Sequence, residues 1–249
     1  MRIGWAGPWN TSSAIAQFGS EIVNELTARG HSVEVLRTET GEALLLPSRT
    51  SLVPVHNPGS VVPGGIRHVF DAVVVNVGDH FLYHGNAIPL IREAQTVLVL
   101  HDSSIAHLYA GWAASLDVEA AADRVRELYP AEEAGGRFWL PAREMAQRRP
   151  MIEWLAGLGC AAVVHARHYE HRVRAACPGP VEVIPLALNF PGLPPPPEQR
   201  STLTVATIGH VNPNKQAEQV LRAIAAPELR GKVRYRLIGA ADEPERNRL

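Results

Sequence analysis

The segment 209–215, with the sequence GHVNPNK, has the residue types of an anion-binding turn. It lies between a predicted strand and a predicted helix, with Asn212 as a candidate N-cap, Pro213 as the first helical residue and Lys215 in the first turn. Free N–H groups at a helix N-terminus bind phosphate oxygens, and a lysine ammonium adds a full positive charge. The same residues also suit an ordinary capped helix with a solvent-exposed lysine, so both interpretations stay open.

His101 is the second candidate, because it directly follows a buried-strand pattern at 96–100. Open α/β folds bind ligands at the carboxyl ends of their parallel strands. The residues that follow it, Asp102, Ser103 and Ser104, equally suit the cap of the next helix. His101 is therefore either a ligand-facing residue or part of a structural turn.

Other histidines are closely spaced, but their spacing does not favour a metal site. His165, His168 and His171 are three residues apart, which turns successive side chains around a helix, and His165 is expected to end a strand. His80 and His84 have i, i+4 spacing, yet the glycines on either side favour a loop. We therefore predict no metal.

Common nucleotide and hydrolase motifs are missing or misplaced. Residues 157–162 fit G-x-G-x-x-A but precede a predicted strand instead of following one, which argues against a dinucleotide fingerprint. The sequence contains neither G-x-x-x-x-G-K-[ST] nor G-x-S-x-G. This argues against P-loop nucleotide hydrolysis and the usual serine hydrolase.

The elements that position these residues alternate between strand and helix. The first 36 residues predict a βαβ unit, whose helix ends at Gly30, and such units build a parallel sheet covered by helices. Later apolar runs are typical of strands buried on both faces, whereas 37–70 predicts irregular connections with a short strand or two. The predicted strands are 3–6, 33–36, 72–77, 96–100, 161–165 and 181–184, and the predicted helices lie at 15–26, 88–94, 118–128, 150–158 and 168–176.

A second domain is expected after a proline-rich linker. We predict an N-terminal domain at 1–188, a linker at 189–200 and a C-terminal domain at 201–249. The last domain shows strands at 203–208 and 233–238 with one helix between them. Two strands and one helix cannot enclose a core, so we expect this domain to be incomplete.

Composition limits the class of protein. The 24 Lys and Arg residues against 25 Asp and Glu give a net charge of −1, which argues against a nucleic-acid partner. The two cysteines suit reduced thiols, and neither a signal peptide nor an apolar run of membrane-spanning length occurs. We expect a cytoplasmic protein, with peripheral membrane contact left open.

Five sequence motifs, the first of them in two parts, have the order and spacing of a known family. They are 1–4 (MRIG) with 25–36 (ELTARGHSVEVL), then 99–102 (VLHD), 162–166 (AVVHA), 183–186 (VIPL) and 204–215 (TVATIGHVNPNK). Together they resemble the retaining glycosyltransferases of the GT-B fold, group 1 or family 4 type. The resemblance covers essentially the whole chain, and it implies two Rossmann-like domains.

The resemblance also implies a reaction. A hexosyl-type group would pass from a nucleotide diphosphate sugar, bound in the cleft between the domains, to an acceptor with retention of configuration and without metal or cofactor. By matching position, Lys215, Gly209 and His210 would bind the donor diphosphate, and His101 would face the donor sugar and the reacting centre. No obvious carboxylate base presents itself, so the donor's own phosphate is expected to accept the acceptor proton.

The loop at 7–13 matches the family's glycine-rich turn, which approaches the donor phosphate and borders the acceptor. Ser13 and Ala14 stand where two glycines are common, yet small residues at a helix N-terminus still permit close approach, so Ser13 is assigned to the donor phosphate. Trp9, Asn10 and Asp102 are assigned to the acceptor side. Packing and turn formation are the alternative roles of Trp9 and Asn10, and a sugar, a lipid or a small molecule would suit as acceptor.

Two further features depart from the family pattern. His210 stands where the family often has Arg, which weakens the diphosphate clamp because histidine is mostly neutral at pH 7. The family's E-x7-E element would lie beyond Leu249, so we expect residues 1–249 alone to be inactive.

Three alternative functions stay open. They are a non-catalytic glycan- or partner-binding module, an inactive fragment of such an enzyme, and a nucleotide-sugar epimerase, whose acid and base carboxylates the sequence does not provide.

Overall fold

Apolar strands and amphipathic helices alternate along the chain in the computed structural model, which describes residues 1–60, 65–93, 95–114, 118–130, 142–186, 202–211, 215–241 and 243–248. The chain divides into two compact units, Met1–Asn189 and Phe190–Leu249. The predicted linker at 189–200 lies outside the described residues. Within the described ranges, no helix is long and apolar enough to cross a membrane.

The first unit is built on a parallel sheet of seven strands in the order β3-β2-β1-β4-β5-β6-β7. Helices flank this sheet, so the unit is an α/β, Rossmann-like fold, as predicted. The predicted bounds of β4 and β5 are confirmed, because continuous β-branched runs mark strands buried on both faces. The strands are β1 Arg2–Gly7, β2 Ser32–Arg37, β3 Val55–His56, β4 Ala72–Val77, β5 Thr96–Leu100, β6 Ala161–Val164 and β7 Val181–Val183.

The helices of the first unit partly follow the predicted pattern. The interpretation of residues 80–84 as a loop is wrong, because Phe81–His84 form one helical turn between the two glycines. The predicted irregular region contains a 3-10 turn at Gly41–Leu45. The helices are α1 Ala14–Ala28, α2 Ile66–Val69, α3 Phe81–His84, α4 Ala87–Glu93, α5 Ala106–Ala113, α6 Val118–Leu128, α7 Ala142–Arg148, α8 Ile152–Ala156 and α9 Glu170–Ala176.

Helix α1 covers one face of the sheet with its small residues. The predicted apolar positions Phe18 and Ile22 are only partly buried and pack at the margin of the core. Gly19 is buried instead, and a Cβ on it would lie 2.9 Å from Trp5 Nε1. The absence of a side chain at this position therefore lets α1 approach β1 closely.

The second unit contains two parallel strands, β8 Leu203–Ile208 and β9 Val233–Ile238, with the predicted bounds. Helix α10 covers Ala217–Ile224 and helix α11 covers Glu243–Arg248. Helix α10 begins after Gln216, whose φ is +52°, so Lys215 precedes the helix. Lys215 itself has 3-10 helical geometry, and residues 212–214, which include the predicted cap and first helical residue, lie outside the described part, so the predicted helix start stays a prediction.

Candidate functional site

The chain changes direction across the first sheet between β1 and β4. Strands β2 and β3 extend to one side of β1, and β4 to β7 extend to the other. Open parallel sheets bind ligands in the crevice at the carboxyl ends of the strands at such a point. A pocket of about 340 Å³ lies at this crevice. Its described lining residues are Ser12, Ser13, Ala14, Ile15, Gly78, Asp79, His80, Tyr83, His84 and Asp102.

Helix α1 begins at the wall of this pocket. Ser13 is its N-cap, and the Ser13 hydroxyl oxygen accepts a hydrogen bond from the Ala16 N–H at 3.2 Å. The first N–H groups of a helix have no partner within the helix and carry partial positive charge. Ser13 therefore lies where the sequence predicts a ligand-binding residue, although its hydroxyl already caps the helix.

Gly78 lines the pocket at a position that has no room for a side chain. A Cβ on Gly78 would lie 2.7 Å from Ile15 Cδ1, 3.0 Å from Asp102 Oδ2 and 3.1 Å from His84 Nε2. Three side chains from separate elements therefore converge on a position that has no room for a side chain. Of these residues, the sequence assigns only Asp102 to the site, and the structure adds His84.

Asn76 connects the strands beneath the pocket. It is fully buried near the carboxyl end of β4. Its amide Nδ2 donates to the Ala6 carbonyl of β1 at 3.1 Å, and its Oδ1 lies 3.2 Å from His101 Nε2. Its main-chain oxygen lies 3.2 Å from His84 Nδ1. Sequence reasoning missed Asn76, although a polar residue interrupting the run VVVNV is a usable signal.

His101 lies just beyond the carboxyl end of β5, as predicted. Its ring makes an edge contact with Phe18, at 5.1 Å between centroids, and a tilted contact with His165 at 4.8 Å. Burial lowers the pKa of His101 to about 3, and repulsion from His165 and His84 acts in the same direction. The ring is therefore neutral at pH 7.

His84 is the buried histidine that lines the pocket. Its side chain is 2% exposed. Burial lowers the pKa of His84 to about 3, against a smaller opposing effect of its hydrogen bond to the Asn76 carbonyl. The pocket therefore contains a neutral imidazole, whose position depends on the helical turn that the sequence did not predict.

Two carboxylates complete the pocket wall, and each already has a structural partner. Asp102 Oδ2 accepts a hydrogen bond from the Asp79 N–H at 2.8 Å. Asp79 Oδ1 accepts from the N–H groups of His107 and Leu108 at the start of α5, at 2.7 and 2.9 Å, and its Oδ2 contacts His107 Nδ1. Burial raises the pKa of Asp79, while these hydrogen bonds oppose the shift. The N-terminus of α5 is thus capped by Asp79, which lies two residues beyond the end of β4.

Trp9 and Asn10 belong to the loop that precedes α1, and both residues are buried. Trp9 is 1% exposed and Asn10 is 0% exposed. Asn10 Nδ2 donates to Glu39 Oε1 at 3.1 Å, and Asn10 Oδ1 accepts from the Ser12 N–H at 2.9 Å. Their side chains thus serve packing and turn formation, the alternative that the sequence left open. Their acceptor-side role stays a prediction.

Glu39 holds this loop in place and was missed by sequence reasoning. It is fully buried, and its Oε1 accepts from the Trp9 N–H at 2.7 Å and contacts Arg37 at 3.2 Å. The residue lies in the irregular region after β2, where no periodic pattern marks a buried carboxylate.

Gly209 and Lys215 lie together in the second unit. Gly209 has a φ of +105°, and a Cβ on it would lie 3.5 Å from Lys215 Nζ. Gly239, with a φ of +146°, approaches so closely that its Cβ would lie 2.1 Å from the Gly209 carbonyl oxygen. Lys215 and His210 are both exposed. The described residues thus bring the ammonium group of Lys215 to the carboxyl end of β8. That Gly209, His210 and Lys215 bind the donor diphosphate stays a prediction.

No known protein family matches the sequence, and no curated protein matches it. Among the described residues, no group of three or more His, Cys, Asp or Glu side chains is arranged to hold a metal ion. Function is therefore inferred from the motifs and from the geometry at the carboxyl ends of the strands.

Proposed function

We propose that the chain is a retaining glycosyltransferase of the GT-B type, which transfers a hexosyl group from a nucleotide diphosphate sugar to a hydroxyl acceptor. One observation carries the proposal: the motif histidine His101 contacts Phe18 of α1, and the start of α1 borders the crevice where a Rossmann-like sheet changes direction. Such a crevice is the general ligand site of this architecture. The motif order supplies the reaction class.

The donor diphosphate is assigned to Lys215, Gly209 and His210. The Lys215 ammonium supplies the positive charge, and the bare Gly209 backbone permits close approach of phosphate oxygens. The resemblance also assigns Ser13 to the donor phosphate, and Ser13 caps a helix whose N-terminus has partial positive charge. This assignment needs no metal ion.

His101 is assigned to the sugar rather than to the phosphates. Its ring is neutral because burial lowers its pKa to about 3, so it offers hydrogen bonds and no charge. In the transfer, the acceptor oxygen bonds to the anomeric carbon while the bond from that carbon to the diphosphate breaks on the same face. The acceptor proton passes to the departing phosphate oxygen, and a nucleoside diphosphate is released.

A binding measurement tests the donor assignment. The chain contains only two lysines, Lys215 and Lys232, and both are exposed. We expect one of UDP-, GDP- or ADP-sugars to bind saturably by calorimetry. Lys215→Ala should weaken binding about tenfold or more, because it removes a charge-assisted contact worth about 1.5–3 kcal/mol. Lys232→Ala is the matched control and should bind as the unaltered chain does. Absence of binding by all three donor classes, or equal binding by both variants, would contradict the proposal.

A transfer assay on the full-length protein tests the reaction itself, because residues 1–249 alone are expected to be inactive. Release of the nucleoside diphosphate should depend on a hydroxyl acceptor, and NMR of the product should show the donor's anomeric configuration. Donor binding without release favours a non-catalytic binding module. An inverted product would refute the retaining mechanism.

A further inference from the structure

Asn76 makes contacts that determine which ring nitrogen of each neighbouring histidine bears the proton. Its side-chain amide lies between the Ala6 carbonyl oxygen and His101 Nε2. A carbonyl oxygen only accepts hydrogen bonds, so the NH2 group of Asn76 must face Ala6. Oδ1 of Asn76 then faces His101 and also only accepts. His101 Nε2 must therefore be the protonated nitrogen, and Nδ1 is left with its lone pair.

The main chain of Asn76 acts on His84 by the same rule. The Asn76 carbonyl oxygen accepts from His84 Nδ1, so Nδ1 is protonated and His84 Nε2 has the lone pair. His84 lines the pocket, and its Nε2 is the atom nearest the Cβ position of Gly78 on that ring. Within the described part of the chain, the nearly buried His84 ring makes its hydrogen bond through Nδ1.

We propose that Asn76 is a positioning residue, which holds His101 as the Nε2–H tautomer and His84 as the Nδ1–H tautomer, so that the other nitrogen of each ring can only accept a hydrogen bond and that of His84 does so at the pocket. A sugar hydroxyl can donate a hydrogen bond to such a nitrogen, whereas a fully ionised phosphate has no proton to give. The pocket imidazole therefore favours hydroxyl groups of the substrate over its phosphates. The identity of the substrate rests on the proposed function, but the two tautomers do not.

The hydrogen bond from the Asn76 amide to the Ala6 carbonyl requires β1 and β4 to approach closely. A Cβ on Gly7 would lie 3.2 Å from Asn76 Cβ, so the last residue of β1 leaves space for the amide. Asn76 itself is 0% exposed, so water does not compete for the hydrogen bonds of its amide.

The first test is imidazole NMR on the unaltered chain. Long-range ¹H–¹⁵N spectra at pH 7 distinguish the two neutral tautomers of each histidine. We expect His101 as Nε2–H and His84 as Nδ1–H. Observation of His101 as Nδ1–H, or of His84 as Nε2–H, would overturn the proposal whatever any variant does.

The second test separates positioning from general stability. In Asn76→Val, His101 loses its acceptor and should populate both tautomers, whereas His84 keeps its bond to the main-chain carbonyl and should not change. Asn76→Asp restores an acceptor and should restore the Nε2–H tautomer. The His84 signal is thus an internal control for folding. A His101 signal that is the same in Asn76→Val and the unaltered chain would overturn the proposal.

A kinetic measurement relates the tautomer to the reaction. With the donor identified above, kcat should fall about tenfold or more in Asn76→Val, with the donor KM changed less than about twofold and kcat partly recovered in Asn76→Asp. A fall in kcat that Asn76→Asp does not relieve would overturn the link to catalysis. Correct tautomers without any donor binding would refute the proposed function and leave the positioning role intact.

Discussion

The two units place glycines and polar groups at the carboxyl ends of parallel strands, but they surround them differently. In the first unit, Asn76 and His84 at this edge are almost fully buried, and both make defined hydrogen bonds. In the second unit, Lys215 is exposed beside Gly209, and β8 and β9 have no fully buried residue. Seven strands with flanking helices exclude water from a sheet edge, and two strands do not.

The difference shows what burial adds to a site. Burial keeps His84 and His101 neutral, and their hydrogen bonds to Asn76 assign each ring proton to one nitrogen, so their chemistry is set before any ligand binds. The ammonium of Lys215 remains in water, where it attracts an anion without being held in one geometry. We therefore expect changes in the first unit to alter stability strongly and changes at Lys215 to alter binding alone.

The largest effect is expected from Glu39→Ala. This change leaves the buried Arg37 guanidinium without its carboxylate and the Trp9 N–H without its acceptor. Breaking a buried pair costs about 3–5 kcal/mol. All five tryptophans lie within residues 1–189, so tryptophan fluorescence in urea reports on this unit. Glu25→Ala is the matched control, because the Glu25–Arg29 pair is 60% and 70% exposed and is worth less than about 1 kcal/mol. Equal losses for the two variants would contradict the contrast.

Acidification should destabilise the first unit by a comparable amount. His84 and His101 have pKa values of about 3 in the folded chain, below the ordinary 6.5. The unfolded chain thus binds more protons between these values, and stability falls as the pH drops below 6.5. Each histidine contributes about 1.4 kcal/mol per pH unit, or about 4 kcal/mol for both at pH 5. Urea unfolding at pH 7 and pH 5 measures the loss, and His84→Gln should remove about half of it. Equal stability at both pH values would contradict the assignment of neutral rings.

A smaller loss, confined to the second unit, is expected from Gly239→Ala. The added Cβ would meet the Gly209 carbonyl oxygen at 2.1 Å, in a residue whose φ of +146° disfavours any side chain. We expect a cost of about 3 kcal/mol, seen as faster amide exchange of β8 and β9 with unchanged tryptophan fluorescence. Gly231→Ala is the control, since its φ is +76° and nothing lies within 4 Å of the new Cβ. Its cost should be about 1 kcal/mol. Similar amide exchange in both variants would show that the close approach of Gly239 to the Gly209 carbonyl does not contribute to stability.

The smallest effect on stability is expected from Lys215→Ala. The side chain is exposed, and exposed substitutions usually change stability by less than about 0.5 kcal/mol. Amide exchange of β8 and β9 should therefore match that of the unaltered chain, even where donor binding is lost. A loss above about 1 kcal/mol would assign Lys215 a structural role and remove the meaning of the binding test.

Local patterns predicted most of the strands, and long-range partners account for most of what was missed. The bounds of β4, β5, β8 and β9 agree with prediction because each strand is a local run rich in apolar and β-branched residues. The four-residue helix α3 is too short to show a helical period, so His84 seemed to lie in a loop. Glu39 was overlooked because its partner Trp9 is 30 residues away. The start of α5 likewise depends on Asp79, 28 residues before His107.

The sequence by itself determined the alternating α/β pattern, the position of His101 at a strand end and the presence of Lys215 after β8, because each depends on residues close together in the chain. Only the tertiary structure decided which groups meet. The Asn76 amide reaches the Ala6 carbonyl across 70 residues, and this contact orients the amide toward His101. Burial by the sheet and its helices then makes the histidines neutral. Hydrogen-bond partners and dielectric surroundings are properties of the packed chain, so no local pattern encodes them.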